Sequence, residues 1–156
     1  MTEPAHDTAG VLAPPPVIYG TPLVLGVLLQ RVRPTAVMPH GLTRPLGGLL
    51  LAGGSALLVW SAVTMRQAHT PIDPREPVAR MVTGGPFRRS RNPIYISLTL
   101  LYVGITVLGN TLWPLLFLPA VVRVMQRGVI EREERYLERT FGDEYRRYKS
   151  RVRRWL

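Results

Sequence analysis

The sequence contains no cysteine. The chain therefore cannot form a disulfide, supply a thiolate nucleophile or build a cysteine metal site. Histidine is almost as scarce: His6, His40 and His69 lie in three separate segments and form no pair at ligand spacing, so we predict no metal site. The G-x-S-x-G, Walker and G-x-G-x-x-G patterns are also missing. Their absence argues against a serine hydrolase, a P-loop enzyme and a Rossmann cofactor domain.

Acidic residues are few. The 156 residues include 10 Asp and Glu against 20 Lys and Arg, which gives a net charge of +10, yet 46% of the residues are hydrophobic. These apolar residues are pooled in uncharged blocks at 11–30, 45–65 and 94–122. A soluble nucleic-acid-binding protein would spread them along amphipathic elements instead. Because 21 uncharged residues can cross a hydrocarbon core of about 30 Å, the sequence predicts an all-α integral membrane protein without a nucleic-acid partner.

The block at 94–122 is too long for one ordinary span. It divides at Gly109-Asn110-Thr111, a turn-forming triplet, and so predicts a short hairpin of two helices. Asn92 is the predicted N-cap of the first helix, and Pro93 is its first residue. With two segments in 17–65, this gives about four transmembrane helices in a single domain covering 1–156, preceded by a short tail at 1–16.

The basic residues are distributed unevenly among the connecting segments. Residues 66–93 hold six Lys or Arg, the tail from residue 123 holds eleven, and the loop at 31–44 holds three. Because cytoplasmic loops of membrane proteins carry the excess of Lys and Arg, we predict a multi-pass protein with both termini and the candidate site cytoplasmic.

Two further patterns describe packing surfaces. Gly48, Ala52 and Ala56 recur every four residues, which predicts a face for close helix packing. In the tail, an apolar stripe predicts an amphipathic helical segment with a break at Gly142, and it comprises Leu137, Phe141, Tyr145, Tyr148 and Val152. We expect this tail to lie on the membrane surface, with its arginines toward lipid phosphates.

Two charged clusters flank the hairpin. The first is GPFRRSRNPIY, residues 85–95, in which a glycine turn, arginines and a helix start could bind a carboxylate or phosphate. It could equally be a basic flank with an ordinary helix cap. The second cluster is Glu131, Glu133 and Glu134, which could form salt bridges with neighbouring arginines, bind ribose hydroxyls or balance a cation. Spacing alone leaves these alternatives open.

The two clusters together resemble a known enzyme family. GPFRRSRNPIYIS resembles the G-x-Y-x-x-x-R-H-P-x-Y-x-G signature of isoprenylcysteine carboxyl methyltransferases and the related phospholipid N-methyltransferases of membranes. EERYLERTFGDEYRRYKSRVRRW resembles their E-E-x-x-L-x-x-x-F-G-x-x-Y-x-x-Y-x-x-x-V-P-R-W ending. The resemblance covers residues 83–155. This chain departs from the pattern at four positions, where Asn92 replaces His, Phe87 replaces Tyr, Ser97 replaces Gly and Arg153 replaces Pro. An Asn can hydrogen-bond but cannot act as an acid or a base.

The resemblance implies a methyltransferase that uses S-adenosylmethionine at the cytosolic membrane face. It implies a cofactor-binding set made of Gly85, Arg91, Asn92, Pro93, Tyr95, Glu133 and Glu134. It further implies catalytic roles for Glu134 and Arg154 and contacts with substrate for Tyr145 and Tyr148. The acceptor it implies is a lipophilic or lipid-linked carboxylate, amine or thiol, and membrane lipids are the other expected partners.

Two alternatives remain from the sequence. One is an NADPH-dependent enzyme like the membrane sterol reductases, which share an Arg-His-Pro-x-Tyr segment, although the Asn and Glu of their R-H-P-N-Y-x-G-E version are missing here. The other is a non-catalytic basic membrane protein that binds anionic lipid through its tail. The methyltransferase hypothesis requires that Arg91 and Glu134 share one cavity.

Overall fold

The computed structural model of the protein describes residues 8–156, so His6 and the start of the predicted tail lie outside the described residues. The described chain forms six α-helices: α1 Pro15–Val32, α2 His40–Gln67, α3 Pro93–Leu108, α4 Trp113–Met125, α5 Glu131–Phe141 and α6 Asp143–Arg151. Within residues 8–156 the one strand-like pairing is an isolated parallel bridge between Ser90 and Arg153. The all-α prediction is confirmed.

Two continuous helical stretches are long and apolar enough to cross a membrane, namely His40–Gln67 and Trp113–Phe141. Their 28 and 29 residues correspond to lengths of about 40 Å, more than a hydrocarbon core requires. The outer face of α2 leaves large apolar side chains such as Leu49 and Trp60 more than half exposed, a surface that lipid would cover. The prediction of four spans goes beyond these two and stays a prediction.

The predicted hairpin turn is confirmed, but its second arm is longer than predicted. Helix α3 ends at Leu108, and Pro114 lies in the first turn of α4. We expected this arm to end near residue 122. Instead it continues through a π-helical turn, Gln126–Ile130, into α5. No proline follows Pro119 in this stretch, and the only glycine between residues 113 and 141 is Gly128, which lies in the π-helical turn.

The hairpin arms barely contact each other. Helix α3 packs along α2, and α4 packs against α1. The packing face predicted for α2 is wrong, because Gly48, Ala52 and Ala56 are exposed. The buried small residues lie on the adjacent face: Thr43, Gly47, Gly54 and Ser61. A Cβ at Gly47 would lie 2.6 Å from Cγ of Leu108, so this glycine permits the close approach. Helix α2 contains two pairs of adjacent glycines, Gly47-Gly48 and Gly53-Gly54, so small residues lie on two neighbouring faces. The sequence pattern alone did not distinguish which of these faces is buried.

The described part of the N-terminal tail packs across the π-helical turn. The amide of Leu12 donates to the carbonyl of Gly128 at 2.9 Å, and Arg132 donates to the carbonyl of Gly10 at 2.6 Å. Helix α1 begins at Pro15, two residues before the predicted start of the first segment. Residues 8–14 are therefore part of the packed structure rather than a separate tail.

The C-terminal tail breaks where predicted but ends differently. Gly142, with φ of +51°, separates α5 from α6. Helix α6 ends at Arg151, and Val152 has extended backbone, so its place in a helical stripe is wrong. Residues 152–156, which we call the C-terminal strap, run beside the 85–95 segment, where the amide of Arg91 donates to the carbonyl of Arg153 at 2.9 Å. The amide of Val152 still donates to the carbonyl of Tyr148 at 3.1 Å, which makes Val152 the last hydrogen-bonded residue of α6, and the chain leaves the helix beyond it.

Candidate functional site

A cavity lies where the loop between α2 and α3 (residues 68–92, the α2–α3 loop) meets α5 and α6. Its volume is about 130 Å³, and its mouth is open to solvent. Eight of the ten predicted site residues line it: Arg91, Asn92, Pro93, Tyr95, Glu133, Glu134, Tyr145 and Tyr148. Gly85 and Arg154 do not line it. The two sequence clusters thus converge on one hollow.

A buried ion cluster joins the two signatures. Nη1 of Arg91 lies 3.1 Å from Oε1 of Glu134, and these two side chains are only 10% and 9% exposed. Arg154 forms a two-pronged contact with the same carboxylate, with Nε 2.9 Å from Oε1 and Nη2 2.6 Å from Oε2. Both oxygens of Glu134 are therefore bound by guanidinium groups. Because Arg91 and Glu134 are both buried, and Arg154 binds the same carboxylate through two hydrogen bonds, Glu134 fixes the position of Arg91 more firmly than a surface ion pair could.

Arg91 has a buried donor that is unused. Its Nε is buried and has no hydrogen-bond partner among the described residues. Its Nη1 also donates to the hydroxyl of Tyr145 at 3.4 Å. Burial and, second, the nearby Glu134 carboxylate raise the pKa of Tyr145 to about 12, so this tyrosine presents a neutral hydroxyl near neutral pH. A buried guanidinium donor without a partner is costly, and this one belongs to a side chain that lines the cavity.

Glu133 has different surroundings from its neighbour Glu134. The hydroxyl of Tyr95 donates to Oε1 of Glu133 at 2.5 Å, and no arginine or lysine forms an ion pair with Glu133 within residues 8–156. Its second oxygen makes no hydrogen bond in the described part of the chain. The π-helical turn Gln126–Ile130 lies immediately before α5, and such turns are frequent at functional sites.

Asn92 precedes α3 at the predicted N-cap position, but its side chain is used elsewhere. The side chain makes no capping hydrogen bond. Instead Nδ2 donates to the carbonyl of Arg154 at 2.9 Å, and the hydroxyl of Ser90 donates to the same carbonyl at 3.2 Å. The amide side chain therefore holds the C-terminal strap in place. The Arg154 side chain contacts Glu134 but is not among the residues that line the cavity.

Gly85 is explained by backbone geometry. Its φ is +54°, a conformation that residues with a Cβ rarely adopt, and a Cβ there would lie 2.7 Å from Oγ1 of Thr64 on α2. The turn therefore packs against α2 and starts the 3-10 turn Gly85–Arg88. Direct contact between Gly85 and a cofactor stays a prediction. Tyr148 supports the same turn, because its hydroxyl donates to the carbonyl of Phe87 at 2.8 Å.

The sequence did not identify the third wall of the cavity. This wall is the first part of the α2–α3 loop, and its lining residues are Thr70, Pro71, Ile72, Asp73, Pro74, Val78, Arg80, Met81 and Val82. The hydroxyl of Thr70 donates to the carbonyl of Arg80 at 3.0 Å, and the amide of Val78 donates to the hydroxyl of buried Tyr136 at 3.1 Å. The available signal was length, since a structureless connection of more than about 12–15 residues is usually functional.

Comparison with known proteins identifies relatives of this chain. The family model for phospholipid methyltransferases matches residues 42–144. An uncharacterized protein from Haemophilus influenzae is 51% identical to this chain over 65 residues, which are 40% of this chain and the whole of that protein. No solved structure matches the chain. The family match spans α2, the α2–α3 loop and the helices through α5, and so includes both carboxylates and Arg91.

Proposed function

The chain belongs to the phospholipid methyltransferase family, and on that premise we propose that it transfers a methyl group from S-adenosylmethionine to a lipophilic or membrane-associated acceptor. One observation carries the proposal: two distant signatures, which the resemblance assigned to one cofactor, meet at a contact of 3.1 Å between Arg91 and Glu134 beside a single cavity. The alternative, in which the two clusters are separate salt-bridged flanks of membrane helices, gives no reason for this convergence.

The cavity residues fit this methyl donor. The unpartnered Nε of Arg91 suits a carboxylate such as that of the amino-acid part of the donor. The mouth and walls contribute apolar surface from Ile72, Val78 and Met81, which suits an adenine ring or a lipophilic chain. Glu133, with a free oxygen and no cationic partner in the described chain, suits a positively charged or hydroxyl-bearing group. In this proposal Arg91, Glu133 and the start of α3 at Pro93 hold the donor.

The protein contributes position and environment to the reaction. When bound, S-adenosylmethionine supplies an electrophilic methyl group with a good leaving group. Glu134 acts by fixing Arg91, because both of its oxygens are occupied by guanidinium groups. The Tyr145 hydroxyl supports Arg91 from α6, and the apolar walls exclude water from the reacting groups. Alignment of acceptor and methyl group in such a site removes much of the entropic part of the barrier.

We further propose that the site faces the cytoplasm and receives its acceptor from the bilayer. The α2–α3 loop and the segment from Arg123 onward carry most of the Lys and Arg residues, and they surround the cavity end of the bundle. The exposed apolar outer surface of α2 supports the inference that a bilayer contacts that side of the protein. A carboxylate, an amine or a thiol on a lipophilic chain is the acceptor class within this proposal.

A direct binding comparison tests the proposal. The full chain, purified in detergent, is titrated with S-adenosylmethionine and, separately, with NADPH by calorimetry. We expect saturable binding of S-adenosylmethionine and none of NADPH. Arg91→Ala should weaken that binding at least tenfold, because the donor loses its buried hydrogen-bond partner while Glu134 keeps Arg154.

The matched control is Arg89→Ala, because Arg89 is exposed, lies two residues away and does not line the cavity. It should bind S-adenosylmethionine like the unaltered chain. Unchanged affinity in Arg91→Ala, or preferential binding of NADPH, would overturn the proposed function. Binding of anionic vesicles with neither ligand bound would favour the non-catalytic alternative.

A further inference from the structure

We propose that the protein has a second ligand site, which binds a phosphate group between helix α5 and the N-terminal segment. The site is a cavity of about 300 Å³ with an open mouth. Among the described residues its lining consists of Thr8, Ala9, Gly10, Arg132, Arg135 and Arg139. It shares only Ala9 with the lining of the cavity beside Arg91 and Glu134. Binding in this second cavity does not require the proposed methyl transfer.

Three arginines share one face of α5. Arg132, Arg135 and Arg139 are spaced three and four residues apart, and like charges at this spacing repel each other on a helix. Nη1 of Arg132 donates to the carbonyl of Gly10 at 2.6 Å, a neutral partner that leaves the charge of the guanidinium uncompensated. The exposed side chain of Arg135 makes no hydrogen bond or ion pair within residues 8–156. A bound anion would relieve this repulsion.

The carboxylates of α5 do not neutralise these arginines. Each of its four glutamates has a partner on another element: Arg154 for Glu131, Tyr95 for Glu133, Arg91 and Arg154 for Glu134, and Lys149 for Glu138. In the part of the chain that the structure describes, no Asp or Glu lines the second cavity. A concave site lined by charge of one sign concentrates ligands of the opposite sign. The second cavity therefore favours an anion.

A phosphate group matches this lining better than a carboxylate does. The N–H donors of a guanidinium group form a fork that fits the oxygens of a phosphate. A phosphate monoester carries a charge of about −1.5 to −2 near neutral pH and three acceptor oxygens, enough for Arg132 and Arg135 together. The hydroxyl of Thr8 is a further donor in the lining. Both the headgroup of a lipid and a soluble phosphate ester carry this chemical group.

The bound group would join the N-terminal segment to α5. Two hydrogen bonds already do so, from Arg132 to the carbonyl of Gly10 and from the amide of Leu12 to the carbonyl of Gly128 at 2.9 Å. A ligand held by Arg132 and Thr8 adds a contact that is lost whenever the segment detaches. Ligand at ten times its dissociation constant should therefore slow hydrogen exchange of the Leu12 amide about tenfold.

The experiment titrates the full chain, purified in neutral detergent, with three probes by calorimetry: glycerol 3-phosphate, dihexanoyl phosphatidic acid and dihexanoylglycerol. We expect saturable binding of a phosphate-bearing probe and at least tenfold weaker binding of dihexanoylglycerol, which lacks the phosphate. Similar affinities for the first two probes would support recognition of the phosphate alone. Binding of phosphatidic acid without glycerol 3-phosphate would support a lipid headgroup as the source. Hydrogen exchange of the Leu12 amide is measured with the probe that binds.

Two double variants test the location of the site. Arg132→Gln combined with Arg135→Gln should weaken phosphate binding at least tenfold. Arg135→Gln alone removes no contact within residues 8–156 and should weaken it at least threefold. The control combines Arg147→Gln with Arg151→Gln, which removes the same charge from exposed positions of α6 outside both cavities and should change affinity less than twofold.

Four outcomes would each overturn the proposed phosphate site. They are no binding of either phosphate probe, equal affinity for dihexanoylglycerol, equal losses in the two double variants, and unchanged exchange of the Leu12 amide in the bound protein. Equal losses would mean that the net charge of the protein, rather than the face formed by Arg132 and Arg135, attracts the anion.

Discussion

The two ends of the helical bundle treat their buried polar groups in opposite ways. At the end formed by the α1–α2 and α3–α4 connections, which we call the turn end, Asn110 accepts from the amides of Val37 and Met38 and donates to the carbonyl of Met38. At the other end, the site end, Arg91 keeps a buried nitrogen without a partner, and Glu133 keeps an oxygen without a hydrogen bond within residues 8–156.

Gln30 extends the same contrast. At the turn end its side-chain oxygen accepts from Thr35 and Thr111, and its nitrogen donates to the carbonyl of Thr35. A network in which each member is satisfied stabilises one conformation and has no capacity left for a ligand. A partly satisfied network in a cavity costs stability unless a ligand completes it. From this difference we infer that the turn end stabilises the fold, whereas the site end binds a ligand.

The largest expected effect comes from removing the carboxylate at the centre of the site end. In Glu134→Ala, Arg91 loses its buried counter-charge and Arg154 loses its two-pronged contact. We expect the free energy of unfolding to fall by about 3–5 kcal/mol, together with loss of S-adenosylmethionine binding. Unfolding in mixed micelles measures the first effect and calorimetry the second. Glu134→Gln should lose less stability, because an amide oxygen still accepts one hydrogen bond. A loss below about 1 kcal/mol in Glu134→Ala would contradict the assignment of a buried ion pair.

The next effect should separate stability from binding. Asn110→Gly removes three hydrogen bonds at the turn end but tolerates the φ of +44° at this position. We expect a loss of about 2–3 kcal/mol in the free energy of unfolding, at roughly 1 kcal/mol for each bond. Affinity for S-adenosylmethionine should change less than twofold in protein that remains folded. A large loss of affinity in this variant would show that the turn end is coupled to the site.

A smaller effect should follow from the contact between Asn92 and the C-terminal strap. Asn92→Ala removes the donor to the carbonyl of Arg154, and we expect a loss of about 1 kcal/mol and weaker binding of S-adenosylmethionine. Asn92→His should recover most of both, since Nδ1 of an imidazole lies as many bonds from the backbone as the Asn amide nitrogen. Stability and affinity measured on the three proteins check this. If the His variant resembles the Ala variant, the residue does not act through this hydrogen bond.

Much of the fold could be predicted because its signals are local. The Gly109-Asn110-Thr111 turn and the helix break at Gly142 each depend on a few neighbouring residues, and the structure has them where they were expected. The continuation of α4 into α5 was missed because the expected end depended on the end of apolar sequence rather than on a helix breaker. Hydrophobicity reports the surroundings of a helix, whereas proline and glycine report where it can stop.

The site could be predicted only in part for a related reason. The residue types of Arg91, Glu133 and Glu134 pointed to ligand chemistry, but their partners lie far away in the chain. Whether a carboxylate is occupied by an arginine, as Glu134 is by Arg154, depends on the path of the C-terminal strap. The wall at residues 70–82 has no chemical motif, and its position follows from how the loop closes on Tyr136. Tertiary contacts of this kind leave no periodic trace in the sequence.

The smallest expected effect tests whether burial is the reason why the ion pair of Glu134 matters more than an exposed ion pair on the same helix. Glu138 lies one helical turn beyond Glu134 on α5 and pairs with Lys149 at 3.2 Å, but these side chains are 35% and 39% exposed. Glu138→Gln should change the free energy of unfolding by less than about 1 kcal/mol and leave S-adenosylmethionine affinity unaltered. The same substitution in Glu134 removes the same charge from the same helix, so the difference between the two variants measures what burial adds to an ion pair. Equal losses in both would mean that charge count, rather than the dry surroundings of Arg91, stabilises the site end.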